Sequence, residues 1–430
     1  MKKILLSMIS MLALGGAAYS QAWTWDSVAM GPGYANDIYY SMNNNQIKSE
    51  DNKNWHLAFS LSIGDSAAVW ANHNGGNNYV KVYNVHKDKS QWASVALGDT
   101  AAANLCFNHD MAWFEGAFND IPSADPFNYG WGTYDAVSHN IVGDSVFIVK
   151  ANNVFYKVII DSLNSMAMNW HFRVNDFNGA DSVYMVSKQP NFTNRLFAYF
   201  NLGTGTDTNR EPDIATWDLL FTRYNSLVSL GGPPQPYSVV GALGNKGIKF
   251  AQALQVHVDT AYNHYADYAV PDWSRVISSV GYGWKTFDQP NNVWIVPDSI
   301  SYFVLDKAND VWQLQFTAFG GGADGKIVFR KRKIANLTSV NDVTNEINGY
   351  SIYPVPAQQQ LNVLLDSKVG AEAVITLNDI QGRVLMNRNL KLNTGLNAIQ
   401  LNTGHLPSGN YILNVNGQQI RLQEKVSILR

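Results

Sequence analysis

Apolar and polar positions follow one another in short runs along most of this chain. FYKVIIDSL (155–163), SISYFVL (299–305) and VWQLQFTAF (311–319) are rich in aromatic and β-branched residues, and clusters of Gly, Asn and Asp separate such runs. Long helical periodicity is scarce; one short helix is predicted around Ala251 to Tyr265. The pattern predicts an all-β protein. The first twenty residues depart from it. Lys2 and Lys3 precede an apolar run from Ile4 to Leu14, and Ala18-Tyr19-Ser20 offers small residues at a cleavage site. That is the layout of a secretory signal peptide at 1–20, with the mature chain beginning at Gln21. No other stretch holds the roughly 18 consecutive apolar residues that suggest a transmembrane helix.

The strand pattern repeats. Asn54-Trp55-His56-Leu57-Ala58-Phe59 resembles Thr216-Trp217-Asp218-Leu219-Leu220-Phe221, and an aromatic run precedes each (38–42 and 196–202). Tyr129-Gly130-Trp131 pairs with Tyr282-Gly283-Trp284, 142–149 with 296–304, 154–157 with 311–314, and Phe172-Arg173 with Phe329-Arg330. The order and gaps are kept, which predicts a tandem duplication with units at 21–190 and 191–335. The middle of each unit matches poorly and is expected to hold long, divergent loops. Residues 336–349 are polar and lack aromatics until Tyr350, a linker composition. From Tyr350 to Arg430, Leu, Ile, Val and Asn alternate between punctuating glycines, which predicts a small β-sandwich.

Charge narrows the possible partners. Charged residues make up 15% of the chain and the net charge is −3, so there is no electrostatic footprint for nucleic acid. The single cysteine, Cys106, excludes an intramolecular disulfide framework and a multi-cysteine metal site.

Residues 350–430 resemble the type A sorting domain of the type IX secretion system. The resemblance rests on Tyr353-Pro354-Val355-Pro356, ITLNDIQGRVL (375–385), GLNAIQLNTGHLPSGNYILNV (395–415) and the basic end from Lys425 to Arg430. The usual opening is Tyr-Pro-Asn-Pro, so Val355 is a departure. Two prolines are expected to open the first strand, Gln381-Gly382 to turn a hairpin, and 407–410 to turn into the last strand. The resemblance implies a partner in the type IX machinery, passage across the outer membrane of a Bacteroidota-type bacterium, and a secreted or surface-attached product.

The two repeated units resemble the HmuY-like haemophore family. The second unit carries the likeness in Trp217-Asp218-Leu219-Leu220-Phe221-Thr222-Arg223-Tyr224, Gly283-Trp284-Lys285-Thr286-Phe287, 299–316 and GKIVFRKRK (325–333). The resemblance implies haem bound axially between two loop side chains, His or Met, which suits the soft ligands that iron takes. One family ligand position falls on Gln289, and on Ala136 in the first unit; neither is a good iron ligand. The other falls near His257, with His264 close by; His109 and Met111 occupy the comparable stretch of the first unit. His257 and His264 are therefore the axial candidates, with Tyr262, Tyr265, Tyr268 and Trp273 either lining a haem slot, stacking on sugar rings or filling a core.

Enzyme signatures are missing. There is no Gly-x-Ser-x-Gly elbow, no His-Glu-x-x-His pair, and no glycine-rich phosphate loop between strand and helix. The expectation is a non-enzymatic ligand-capture protein outside the cell, with haem as the lead ligand that the resemblance implies. The rival is a surface adhesion or glycan-binding module that has kept the scaffold and lost haem ligation.

Overall fold

The computed structural model describes residues 22–61, 67–73, 79–120, 125, 127–229, 231–269, 273–337, 346–379, 383–417 and 419–429. The signal segment 1–20 and the Gln381-Gly382 turn lie outside them. The protein is mostly β, as the residue pattern predicts. The runs at 155–163, 299–305 and 311–319 fall on strands Val154–Asn164, Ile300–Leu305 and Asp310–Phe319. The stretch expected to be one helix is instead the strand Lys249–Leu254 followed by two short helices, Val258–Asn263 and Tyr265–Ala269. Phe250, Ala251 and Ala253 lie on the strand with their side chains buried, so its two-residue pattern wins over helix propensity.

The repeat is visible strand by strand. One sheet runs in the order Ser182–Ser187, Asn169–Asn175, Val154–Asn164, Ser145–Ala151, Val80–Asp88, Asn104–Cys106. The other runs Thr24–Ala29, Lys326–Asn336, Asp310–Phe319, Ile300–Leu305, Lys249–Leu254. Two four-stranded sheets match in the same way: Thr206–Thr208, Phe197–Asn201, Leu57–Ser60, Val69–Ala71 against Asn45–Asp51, Asn36–Ser41, Leu219–Val228, Gln235–Gly244.

The pairing crosses the repeat boundary. The first strand and first hairpin of the first repeat (24–51) complete the sheets of the second. The matching strand and hairpin at 182–208 complete the sheets of the first in return, so that strand for strand the second repeat begins at Ser182, ahead of the 191 read from the sequence. The packed bodies therefore coincide with neither of the blocks 21–190 and 191–335. One body is built from 55–208 and the other from 24–51 with 217–336.

Burial explains why the exchanged segments read as unbroken apolar runs. In the short sheets one side chain points to its own body and the next to the opposite body. Ile38 and Tyr40 enter the core of one body, Ala198 and Phe200 the core of the other, while Tyr39 and Tyr199 meet between them. Leu57/Phe59 and Leu219/Phe221 likewise face the two cores, with Ala58 and Leu220 in the shared layer. A strand buried on both faces loses the apolar–polar alternation. The shared layer is close to two-fold symmetric. The Tyr39 and Tyr199 hydroxyls sit 3.4 Å apart, and each ring meets the other repeat's Trp edge-on, Tyr39 with Trp217 (5.2 Å) and Tyr199 with Trp55 (5.0 Å).

The Trp-Asp and Trp-His pairs are structural. Asp218 Oδ2 accepts the Met42 backbone N–H at 2.7 Å, and His56 Nδ1 accepts the equivalent Leu202 N–H at 2.9 Å. Asn72 and Asn245 do a second matched job, each donating to the carbonyl of its repeat's Trp (Trp55 or Trp217) at 2.7 Å. A buried ion pair pins the exchange. Arg210 Nη2 donates to Asp37 Oδ2 at 2.9 Å, Thr222 Oγ1 donates to Asp37 Oδ1 at 2.6 Å, and Arg210 Nε donates to Asn54 Oδ1 at 3.0 Å. Both charges are essentially inaccessible to water.

Residues 347–428 form a sandwich of a three-stranded and a four-stranded sheet around a core of Leu361, Val363, Leu365, Leu377, Leu413 and neighbours. The first strand is Ile347–Tyr353, so Pro354 and Pro356 follow it rather than open it; a residue with no N–H belongs at a strand end. The 407–410 turn leads into Gly409–Gly417, and a further strand, Arg421–Ile428, comes after. Leu364 points out of this sandwich and is buried against the first body, with Tyr353 and Leu396 beside it. Arg275 pairs with Glu424 at 2.9 Å.

Removing one member of the buried pair leaves the other charge uncompensated. Arg210→Ala is expected to cost about 3–5 kcal/mol in chemical denaturation, and replacing Arg210 and Asp37 together by Met and Leu to recover most of that loss. The acid side has its own signature. Burial pushes His56 down to about 4, and His73 likewise. A depressed histidine stays neutral while the unfolded chain takes up a proton, so stability falls as pH drops from about 6.5 toward 4. His56→Asn keeps an acceptor for Leu202 and is expected to flatten that part of a melting-temperature profile against pH.

Candidate functional site

His257 and His264 lie at the two ends of the first short helix. His257 caps it, accepting from the Asp259 N–H at 3.3 Å, and its side chain is 71% exposed. His264 follows the helix, 60% exposed, with Nδ1 3.2 Å from Asp267 Oδ2. Each imidazole is thus engaged by a neighbour on its own helix pair. The aromatics around them close onto protein: Tyr268 stacks on Phe303 (6.4 Å), Tyr265 packs on the same ring, and Tyr262 covers the Arg332 guanidinium at 3.8 Å. Tyr265, Tyr268 and Trp273 pack on a small core under the helices formed by Ala251, Ala253, Ala261, Ala269 and Phe303. The tyrosines expected to line a haem slot are thus turned onto protein, Tyr265 and Tyr268 against Phe303 and Tyr262 against Arg332.

The other ligand positions of the resemblance are also separate from one another. Gln289 begins the turn between Thr286–Asp288 and Val293–Ile295, and Ala136 sits in the matching turn of the first repeat. His109 lies in the loop that crosses to the other body. Its Nε2 is 3.1 Å from Asp120 Oδ1, a bond that holds the imidazole above its ordinary pKa. The Met111 carbonyl accepts from Ile277 N–H, fastening that loop across the boundary. Among the described residues no group of three His, Cys, Asp or Glu side chains is placed to hold a metal.

Two features elsewhere have the character of a site. The first is a tight cavity of about 30 Å³ in the shared layer, walled by Trp55, Trp70, Trp113, Tyr199, Tyr224 and Arg210. Trp55 Nε1 and the Tyr224 hydroxyl are buried there without a hydrogen-bond partner. That volume has room for one or two waters, which would satisfy both groups.

The second is a ladder of rings and guanidiniums on the outer face of the second body. Thr24–Ala29 pairs with Lys326–Asn336 so that Trp25 lies opposite Arg330 and Thr24 opposite Lys331. Side chains two apart on a strand share a face, so Trp23 and Trp25 line up with Arg330 and Arg332. Arg332 Cζ lies 3.8 Å from the Tyr262 ring centroid and 4.2 Å from that of Trp23; Arg330 Cζ lies 4.4 Å from Trp23 and 5.7 Å from Trp25. Two glutamines fix the guanidiniums from the next strand. Gln315 Oε1 accepts from Arg330 Nε at 2.6 Å, and Gln313 Oε1 accepts from Arg332 Nε at 2.8 Å. Arg332 also pairs with Asp259 at 3.2 Å, and Arg330 has no carboxylate partner among the described residues. Trp25 is 61% exposed, and beyond it the face continues through the small side chains Ser27 and Ala29. Such cation–π contacts are worth about 0.5–1 kcal/mol each where exposed and add to the hydrogen bonds from Gln315 and Gln313 that orient the guanidiniums.

None of these four residues stood out in the sequence as a site. The alternation of Arg330 and Arg332 in a predicted strand was the available signal. What it lacked was the partner strand, some 300 residues away in the chain.

The architecture defines a β-stacked protein with a separate C-terminal sandwich. Residues 351–429 match the secretion system C-terminal sorting domain family. This is a type IX sorting domain, and it directs the chain out of the cell or to the cell surface through contact with the type IX machinery. No curated protein matches the chain. The HmuY-like resemblance of the repeated region finds no support in these comparisons. No helix among the described residues is long and apolar enough to cross a membrane.

The exposed positions of the two histidines have a simple consequence. His264→Ala is expected to shift stability by less than about 0.5 kcal/mol in thermal melts at neutral pH, the usual range for surface substitutions, and His257→Ala by up to about 1 kcal/mol because it removes a helix cap.

Proposed function

We propose that this protein is a type IX-exported, non-enzymatic binding protein that acts outside the cell, and that its ligand is a glycan held on the Trp23–Trp25 face. The observation that carries this reading is the ladder itself. An indole that is 61% exposed, on a strand locked into a sheet and backed by a fixed guanidinium, is a rigid stacking platform. Sugar rings offer apolar C–H faces to such a platform and hydroxyls to the polar groups beside it. The type IX address supports the same reading, since it delivers the face to where polysaccharides are met.

Affinity electrophoresis of the full chain through gels containing neutral and acidic polysaccharides tests it. Retardation by at least one polymer is expected, with Trp25→Ala weakening it tenfold or more, equivalent to about 1.4 kcal/mol. A haemin titration is the counter-test. A spectrum matching free haemin is expected. A saturable, sharp Soret band lost in His257→Ala would overturn the glycan reading in favour of haem capture.

A further inference from the structure

We infer that the ladder selects a carboxylate-bearing sugar chain, a uronate polymer, over a neutral one; this rests on the glycan reading of the same face. Arg330 is the reason. Its Nε is engaged by Gln315, which fixes the plane of the guanidinium and leaves the Nη1/Nη2 edge for a ligand. No carboxylate of the described chain takes that edge, whereas the neighbouring Arg332 is buried and already paired with Asp259. The protein thus neutralises one guanidinium of the pair and leaves the more exposed one unpaired, beside the exposed Trp25.

The rings decide the shape of the anion. Arg330 Cζ lies over both Trp23 and Trp25, so the indoles crowd the faces of the guanidinium and favour approach in its plane. A carboxylate is planar and accepts two parallel N–H bonds in that plane, the strongest geometry open to a guanidinium. A uronate residue presents a ring for Trp25 and, on the same sugar, a carboxylate for Arg330. The small side chains Ser27 and Ala29 leave the adjoining surface low, and Lys326, paired with Ala29 across the strands, adds a second exposed positive charge at the far end of the face. An acidic chain laid along the strand would thus meet positive charge at both ends.

The experiment compares one backbone with and without its charge. Binding of the full chain to polygalacturonate and to its fully methyl-esterified form is measured by titration calorimetry at 50 and 300 mM NaCl. The acid is expected to bind at least tenfold tighter than the ester at low salt, and to lose most of that preference at high salt. Arg330→Gln is expected to bring the acid down to the affinity of the ester. Arg330→Lys, which keeps the charge and loses the planar fork, should fall between them, and an unchanged melting temperature shows that each variant is folded. Equal binding of acid and ester overturns the charge selection and leaves the glycan reading standing. Binding of neither polymer, together with no retardation by any polysaccharide in the panel above, overturns both.

Discussion

The reciprocal exchange of three strands between the two repeats is the constraint on which the cargo region depends. Neither repeat closes its own sheets. Thr24–Ala29 ends the sheet that contains Lys326–Asn336, and Asn36–Ser41 lies against Leu219–Val228. The second repeat returns the favour through Ser182–Ser187 and Phe197–Asn201. The exchange makes the body cooperative, because loss of one hairpin exposes the core of the body it completes and one face of the layer between the two. It also accounts for the position of the Arg210–Asp37 pair. Asp37 comes from one exchanged hairpin and Arg210 from the segment just after the other. A buried pair of this kind is weak evidence for stability, yet its geometry is met only when both hairpins are in register.

The duplication kept backbone tasks and changed the residues that perform them. His56 and Asp218 accept equivalent backbone N–H groups, one as a neutral imidazole nitrogen and one as a carboxylate oxygen. Asn72 and Asn245 stayed the same, because a side-chain amide that both donates and accepts has no ready substitute in that turn. The outer faces diverged most. In the first body, 3₁₀ turns at Lys89–Ser94 and Leu97–Ala101 follow the equivalent strand, and Trp92 covers Arg173 and Lys157. In the second, the short helices at 258–269 cover Phe303 and Arg332 and stop short of Trp25 and Arg330. Arg173, the counterpart of Arg330, is paired with Asp161, so the first body has quenched the charge that the second leaves unpaired.

Much of this was legible in the sequence, and the limits are physical. Strand positions followed from β-branched and aromatic runs, and the sorting sandwich from its change of composition after Gly349. The runs IYYSM and LFAYFNL were legible as aromatic strands, and their lack of apolar–polar alternation is explained by burial on both faces. Which body each strand would join was not legible. A strand closing its own repeat and one closing its neighbour have the same hydrophobic pattern, and the choice is made by how far the connecting segments reach. His257 stood out because of its residue type and its place in a resemblance. Its exposure depends on a helix that ends at Asn263, which propensity over a few residues does not determine. The ladder was hidden for the same reason as the exchange, being built from two strands that only the fold brings together.

The strand that completes the second body carries Trp25 and follows directly on Trp23. An edge strand with one unpaired side is a hazard for chain-to-chain pairing, and proteins usually blunt such edges with charge or bulk. Here the bulk is aromatic and the charge is supplied by the neighbouring strand, so the same side chains that guard the edge form the platform. A ligand that engages Trp25 and Arg330 together spans the closing strand and its partner, and so adds to the free energy of closure by the amount of its binding. The exchange that makes the fold hard to read from sequence thereby places the proposed binding face on the seam where the first and last strands of the cargo meet.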